Sequence, residues 1–375
     1  MKFTCEKTQL ANAISVASRT VCQKSSIAAL EGILLRAEEQ LYLTGYNLET
    51  GITVRLDADI SVTGDCIMPA RLFFDIIRKL PDDEVTVEVD DKYKVSIRCG
   101  ISAFTIMATS AEDYPDLPRV TGEDAVEIPE NALRELIGGT IFAVSENQAR
   151  PIHTGCLIEV DETSVTMVAV DGFRLARRTY HTETPTGRSM KFVVPAQALK
   201  EVEKILSDSG EPAAFTLGAK HILFSINGAT LVCRILEGDF LDWRRVVPTN
   251  NPIRLSANVN ELTASIERVG LIVSEKFKSP VRCRFSQDAA EFRTVTTIGA
   301  AQDACRLAGD GKDTEIGFNC RYLLDALKAV PTQEVMLELS NSLSPIVFTP
   351  AQQPDGEKQY DYAYMVLPVR LKPGE

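Results

Sequence analysis

Met167-Val168-Ala169-Val170-Asp171-Gly172-Phe173-Arg174-Leu175-Ala176-Arg177-Arg178 is the stretch from which the rest of the chain is read. Val165, Met167 and Ala169 alternate with other small or β-branched residues, as on a strand. Asp171-Gly172 is a tight-turn signal, and beyond it Arg174 and Arg177 stand among apolar residues. A hairpin is the plain reading. Weaker copies lie on either side, however. One is Leu43-Thr44-Gly45-Tyr46-Asn47-Leu48-Glu49, whose Asn47 precedes Asp171 by 124 residues. A recurrence at that period decides the fold.

Other landmarks recur in step. Each candidate copy opens on a short strand and a helix, at Phe3 to Ala17, Val126 to Val144 and Leu255 to Val273. Aligning Leu10, Leu133 and Leu262 gives steps of 123 and 129 residues. A second helix follows a Pro or Asn, at Pro69 to Arg78, Pro195 to Leu206 and Asn319 to Val330, with steps of 126 and 124. Each copy closes on an apolar strand: Phe104 to Met107, Leu231 to Arg234 and Tyr364 to Leu367. We read three copies of one domain, bounded 1–120, 121–249 and 250–375, each near the usual domain size. Many strands and two helices per copy predict an α+β class, with helices on one face of antiparallel sheets.

Periodicity orients the helices. The helix of the first copy after Pro69 turns Phe73, Ile77 and Leu80 inward and leaves Arg71, Asp75, Arg78 and Lys79 outside. In the second copy the first helix is expected from Pro129, as its first residue, to about Val144. The second helix there packs Leu199, Val202 and Leu206 and shows Lys200, Glu201 and Lys204 to solvent. Leu323, Leu327 and Val330 form the corresponding stripe in the third copy. Pro115 to Asp124 and Pro248 to Pro252 have the composition of linkers.

Composition narrows the function. The longest apolar runs fall short of the ~20 residues of a membrane span. Glu6 and Lys7 interrupt any signal-peptide core, so a cytoplasmic protein with no membrane partner is expected. Nine cysteines, an odd number, are too few for a disulfide scaffold of this length; Cys5, Cys99, Cys233 and Cys283 fall in strand-like runs and read as core. His153-Thr154-Gly155-Cys156 has a metal-ligand spacing without a second pair, so neither metal nor cofactor is expected. The net charge of −12 argues against tight nucleic-acid binding by one face but leaves room for local contact where basic residues are segregated.

Catalytic patterns fail when tested. Gly309-Asp310-Gly311-Lys312-Asp313 lacks the Gly-x4-Gly-Lys-Ser/Thr order of a phosphate loop, and Gly-x-Ser-x-Gly and His-Glu-x-x-His do not occur. His153, His181 and His221 are scattered, and Asp82-Asp83 and Asp90-Asp91 lie in turn-like segments. No catalytic residue is assigned.

Several segments then become recognisable in order. These are Met1-Lys2-Phe3-Thr4, Pro69-Ala70-Arg71-Leu72-Phe73-Phe74-Asp75-Ile76, Glu112-Asp113-Tyr114-Pro115 and Val168 to Ala176, followed by Asp242-Trp243-Arg244-Arg245-Val246, Ser274-Glu275-Lys276-Phe277 and Val366-Leu367-Pro368-Val369-Arg370-Leu371. Together they resemble the bacterial DNA polymerase III β subunit family, the sliding clamps, along essentially the whole chain. The resemblance implies a non-catalytic processivity factor, closed as a head-to-tail homodimeric ring of six like domains around duplex DNA. It also implies the polymerase III catalytic subunit, a clamp loader and other proteins with a clamp-binding motif as partners. The geometry is physically sensible. Three copies turned by ~60° each span half a circle. Twelve helices at ~9–10 Å leave roughly 26 Å clear, wide enough for duplex DNA.

The resemblance also assigns residues. His153, Val170, Gly172, Phe173, Arg174, Leu175, Leu241, Arg245, Val246, Tyr322, Val366, Leu367, Pro368, Val369 and Arg370 match a pocket between the second and third domains that takes a short, mostly apolar partner peptide. Gly172 equally serves only its turn, and Leu175 and Val246 equally read as core; Arg174, Arg245 and Arg370 are harder to bury without a partner. Lys24, Gln148 and Arg150 match loop positions that touch DNA, through phosphate contacts that carry no sequence information. Arg71, Arg78, Lys79, Lys200, Lys204, Arg268 and Lys276 are candidates to line the hole, though each alone equally suits a solvated outer helix face. Phe104 and Ile106, with Leu271 and Ile272, match the dimer interface. The chain departs from the family at Val170, where a hydroxyl residue is common, at His153, where an aliphatic one is usual, and in Lys24 to Leu30, which lacks the usual proline. A monomeric three-domain interaction scaffold is the alternative from another class.

Overall fold

The structure is a computed structural model and describes every residue except 122–124, 274–278, 310, 353–357, 359 and 372–375. The Ser274-Glu275-Lys276-Phe277 motif and the tail beyond Leu371 lie outside the described residues.

The repeat is visible in the element order. The first copy runs β1 (Lys2–Glu6), α1 (Lys7–Ala17), β2 (Gly32–Ala37), β3 (Leu41–Tyr46), β4 (Thr50–Leu56), β5 (Asp59–Val62), β6 (Gly64–Pro69), α2 (Ala70–Lys79), β7 (Glu84–Val89), β8 (Lys94–Cys99) and β9 (Ser102–Met107). The second runs β10 (Ala125–Pro129), α3 (Glu130–Gly138), β11 (Gly155–Val160), β12 (Ser164–Val170), β13 (Arg174–His181), β14 (Met190–Pro195), α4 (Ala196–Ile205), β15 (Pro212–Leu217), β16 (His221–Ile226) and β17 (Ala229–Arg234). The third runs β18 (Ile253–Asn258), α5 (Val259–Gly270), β19 (Val281–Phe285), β20 (Ala289–Thr296), β21 (Gly299–Arg306), β22 (Ala308–Gly309), β23 (Thr314–Phe318), α6 (Cys320–Lys328), β24 (Glu334–Leu339), β25 (Ile346–Pro350) and β26 (Asp361–Val366). The same ten elements recur in order, with one short strand added in the first copy (β5) and one in the third (β22).

Two compact units partition the chain: Met1–Leu133 with Lys200–Ile235, and Arg134–Leu199 with Leu236–Glu375. The first holds a sheet ordered β5-β1-β7-β8-β9 and another ordered β10-β15-β16-β17-β4-β3-β2-β6. The second holds β14-β11-β12-β13-β26-β25-β24-β18-β22 and β21-β20-β19-β23. All the strand ladders named here are antiparallel. The units cut across the repeat because sheets do. Strand β17, the last of the second copy, pairs with β4 of the first, and β26 pairs with β13.

The helices cover these sheets in pairs, α1 beside α2 and α5 beside α6. In α2, Phe73, Ile76 and Ile77 are buried while Arg71, Arg78 and Lys79 are exposed, as the 3.6-residue period requires. Asn258 and Asn319 cap α5 and α6, their side chains accepting from the backbone N–H groups of Asn260, Glu261 and Tyr322.

Two expectations are corrected. Helix α3 is shorter than read: Pro129 closes β10, and the helix stops at Gly138. There the Thr140 hydroxyl donates back to the Leu136 and Ile137 carbonyls, and Ile141–Ala143 forms a separate 3₁₀ turn. Glu201 is buried rather than solvated, because Lys204 (2.8 Å) and Arg19 (3.7 Å) accompany its carboxylate.

Candidate peptide-binding site

The site is built within the second unit, around the Asp171-Gly172 turn. Asp171 follows β12, and its Oδ1 accepts from the backbone N–H groups of Phe173 (2.8 Å) and Arg174 (3.0 Å). Gly172 adopts φ +94°, where a Cβ would be strained. The side chain that this tight turn projects is Phe173, 61% exposed. The earlier copy repeats the device: Asn47 Oδ1 accepts from the N–H groups of Glu49 and Thr50, and Leu48 takes φ +73°.

The strand leaving the turn, β13, holds the C-terminal strand. Arg174 lies opposite Val366 and Leu175 opposite Met365, and the ladder continues as Leu367 N–H donates to the Phe173 carbonyl at 2.8 Å. Further on, Val369 N–H donates to the Gly317 carbonyl at 2.7 Å. A Cβ at Gly317 would press to 2.9 Å on the Val369 carbonyl oxygen, a backbone atom of the very segment it pairs with. Backbone pairing therefore fixes the segment from Val366 to Val369.

Beneath the segment lies one buried apolar cluster, including Leu157, Val168, Val170, Leu175, Phe240 and Met365, with Ile152, Trp243, Val247 and Leu367 packed half-buried against it. Leu241, Val246 and Val369 remain exposed. His153 meets Phe240 edge-on at 5.6 Å. Burial and the neighbouring Arg150 charge both lower the His153 pKa, so its ring is neutral at neutral pH.

Charged groups frame this surface. Arg174, only 8% exposed, donates to Asp171 (2.9 Å) and Asp325 (2.6 Å) and stacks on Tyr322 with its guanidinium carbon 4.4 Å from the ring centre. Phe173 stacks on the same tyrosine at 6.4 Å. Burial raises the Tyr322 pKa, aided by Asp171. On the other side, Trp243 Nε1 donates to Glu159 at 3.1 Å, and Arg244 pairs with that carboxylate at 2.9 Å. Burial works against the Glu159 charge, yet hydrogen bonds from Arg244 and Trp243 hold its carboxyl below the usual range.

The structure thus gathers the predicted residues by role. Val170, Arg174, Leu175 and Val366 are buried and form floor and frame; Phe173, Leu241, Val246 and Val369 offer apolar surface. Leu367, Pro368 and Tyr322 are half-buried, and Arg245, paired with Asp242 at 3.0 Å, and Arg370 are exposed. The sequence reading omitted Asp171, Asp325, Glu159, Phe240 and Trp243 from the site. Asp171 was signalled by its spacing of three from Arg174 and Trp243 by being the only tryptophan in the chain; Asp325 and Glu159 carried no local signal.

Three family models match in succession: the DNA polymerase III beta subunit N-terminal domain over residues 1–118, its central domain over 127–242 and its C-terminal domain over 244–369. The chain belongs to the DNA polymerase III beta subunit family. It is 28% identical to the beta sliding clamp of Staphylococcus epidermidis RP62A over 381 residues, covering 99% of each chain. Among solved structures it is similar to a putative DNA polymerase III beta subunit from Eubacterium rectale (30% identity, TM-score 0.91, 98% of this chain and 99% of that one). It is also similar to the sliding clamp from Bacillus subtilis (28%, TM-score 0.92, 99% and 100%) and to the one from Pseudomonas aeruginosa bound to griselimycin (28%, TM-score 0.91, 99% and 100%). As a sliding clamp the chain is a processivity factor for DNA polymerase and not an enzyme.

The remaining predicted positions of this clamp can now be located. Lys24, Arg71, Arg78, Lys79 and Lys200 are exposed in the first unit; Arg78 lies 3.5 Å from Asp75 and over the Phe74 ring. Gln148 and Arg150 are exposed in the second. Phe104, 41% exposed, and half-buried Ile106 lie on β9, an edge strand. Leu271, 83% exposed, and half-buried Ile272 follow α5, which packs on the edge strand β21. Among the described residues no helix is long and apolar enough to cross a membrane.

Proposed function

We propose that two copies of this chain close head to tail into a ring that encircles duplex DNA and tethers the polymerase and other partners by short peptides. The observation that carries the tethering is the exposed apolar shelf of Phe173, Leu241, Val246 and Val369, set on a buried floor and bounded by backbone-paired strands. A partner peptide burying ~200–300 Å² of apolar surface gains roughly 5–8 kcal/mol before ordering costs, which gives micromolar affinity. Closure is supported by two sheet edges that are unpaired among the described residues: β9, which bears Phe104 and Ile106, and β21, on which α5 packs ahead of Leu271 and Ile272. The domains are proposed to end near 120 and 249, where irregular segments separate the repeats.

The DNA contacts assigned to Lys24, Arg71, Arg78, Lys79, Gln148, Arg150 and Lys200 are weak and blind to sequence, as sliding requires. Twice the −12 charge of one chain disfavours tight binding from outside the ring. The loaded protein is therefore expected to remain on closed circular DNA at salt that strips ordinary binders and to leave the same DNA once linearised. Loading requires an ATP-driven loader. Equal loss from circular and linear DNA would favour the monomeric scaffold instead.

A further inference from the structure

The strand pairings between repeats form a series with two loose ends. Strand β17, last of the second copy, joins β4 of the first, and β26, last of the third, joins β13 of the second. Strand β9 is the last of the first copy, and β21 holds in the third copy the place of β4 and β13. Each ends its sheet among the described residues. The next step of the series joins β9 to the β21 of another copy.

Rows of paired residues give the register of that step. Phe3, Val126 and Leu255 each stand four residues ahead of the first helix of their copy. The row from Phe3 runs through Val87 and Ile97 to Phe104. That from Val126 runs through Phe215 and Phe224 to Leu231, and that from Leu255 through Leu337 and Phe348 to Tyr364. Phe104, Leu231 and Tyr364 are therefore equivalent. Ile67, Val193 and Gly317, each three residues ahead of the second helix, lead in the same way to Thr53, Arg177 and Gln302. Leu231 lies opposite Ile52 and Tyr364 opposite Ala176, each one residue before the end of its row. The equivalent of Ile52 and Ala176 in the third copy is Ala301.

We propose that β9 pairs with β21 of a second copy, Phe104 opposite Ala301, and that this seam closes without an ion pair across it. Two bulky side chains, Phe104 and Ile106, then face two of the smallest residues, Ala301 and Gly299, which leaves them room to reach Leu271 and Ile272. Strand β9 carries no charged residue. On β21, Asp303 falls opposite Ser102 and is already held by Nε and Nη2 of Arg268, while Arg306 lies beyond the end of β9. The nearest charged row sets Arg98, beside Ala103, against Arg293, beside Gln302. Three strand spacings part these two by ~14 Å, more than the ~8 Å screening length at physiological salt, and their signs are alike. The net charge of −12 on each copy adds a repulsion that salt screens. This rests on the ring reading above and adds the force that holds the ring shut: salt that strips phosphate contacts leaves the seam intact.

The test is sedimentation of the full chain between about 0.05 and 1 M NaCl. The dimer dissociation constant is expected to hold or fall across that range. A rise beyond about threefold, the size of one exposed ion pair, would overturn the proposal and point to pairs across the seam such as exposed Arg71 with Glu261 of the other copy. Register is read separately. Phe104→Cys with Ala301→Cys should give a covalent dimer on oxidation, and Phe104→Cys with Asp303→Cys should not; the reverse result would overturn the pairing. Wild-type protein that is monomeric at every salt would remove the ring itself, whereas a dimer that salt dissolves would remove only the seam without ion pairs.

Discussion

Arg174 shows how much one turn residue supports. Its guanidinium is buried, and Asp171 and Asp325 supply its charge partners. Asp171→Ala removes one of them together with the acceptor for two backbone N–H groups, so a loss of about 3–5 kcal/mol in urea denaturation is expected, along with lost peptide binding. Arg174→Lys should not mimic wild type, since an ammonium cannot bridge both carboxylates and stack on Tyr322. The sequence marked Arg174 as an arginine in need of a partner but could not name Asp325, 151 residues away, because only tertiary folding brings the two together. A second residue contributes to the acid limb of stability. Hydrogen bonds from Arg268 hold the Asp303 carboxyl at about 2, and the pair ties α5 to β21. Because the folded value lies below the unfolded one, this contribution is full above pH ~4 and fades as pH falls towards 2. Asp303→Asn should flatten the stability profile over that window; an unchanged slope would show that the pair carries no linkage.

At the scale of elements, the C-terminal strand is held by pairing as well as by packing. Leu367→Ala with Pro368→Ala trims the surface above the Val170–Leu175 floor while leaving the backbone bonds to Phe173 and Gly317 in place. Calorimetry should therefore show loss of a clamp-binding peptide with Tm nearly unchanged, and wild-type affinity would place the peptide elsewhere. The helices and strands were legible where period and burial agreed, as in α2 with Phe73 and Ile77 inside. They were misread where local chemistry competed. Pro129 suits a first helical turn but also the end of the edge strand β10, and the Thr140 hydroxyl ends a helix that apolar spacing alone would extend. Glu201 looked solvated because its partner Arg19 lies in another repeat.

The whole molecule was legible through its period, since three landmarks keep their order and nearly their spacing. The sequence could not show that β17 joins β4 and β26 joins β13, so that sheets outrun the repeat; strand pairing at such separations leaves no local pattern. Assembly is the prediction at this scale. Leu271→Ala with Ile272→Ala removes apolar anchors proposed to meet Phe104 and Ile106 of a second copy, at a typical cost of about 2–4 kcal/mol each. Sedimentation should find a folded monomer that still binds peptide, because neither Leu271 nor Ile272 belongs to the apolar cluster beneath the peptide shelf. A full dimer at sub-micromolar concentration would assign the interface elsewhere.

Trp243 is the only tryptophan in the chain. It sits half-buried beside the peptide shelf, between exposed Leu241 and Val246, with an arginine over its ring and a carboxylate on its nitrogen. The protein thereby carries its own optical probe at the place where partners are proposed to dock. A peptide covering Leu241 and Val246 would dry the indole and move its emission to shorter wavelength, so occupancy could be titrated on the unlabelled protein in the presence of DNA.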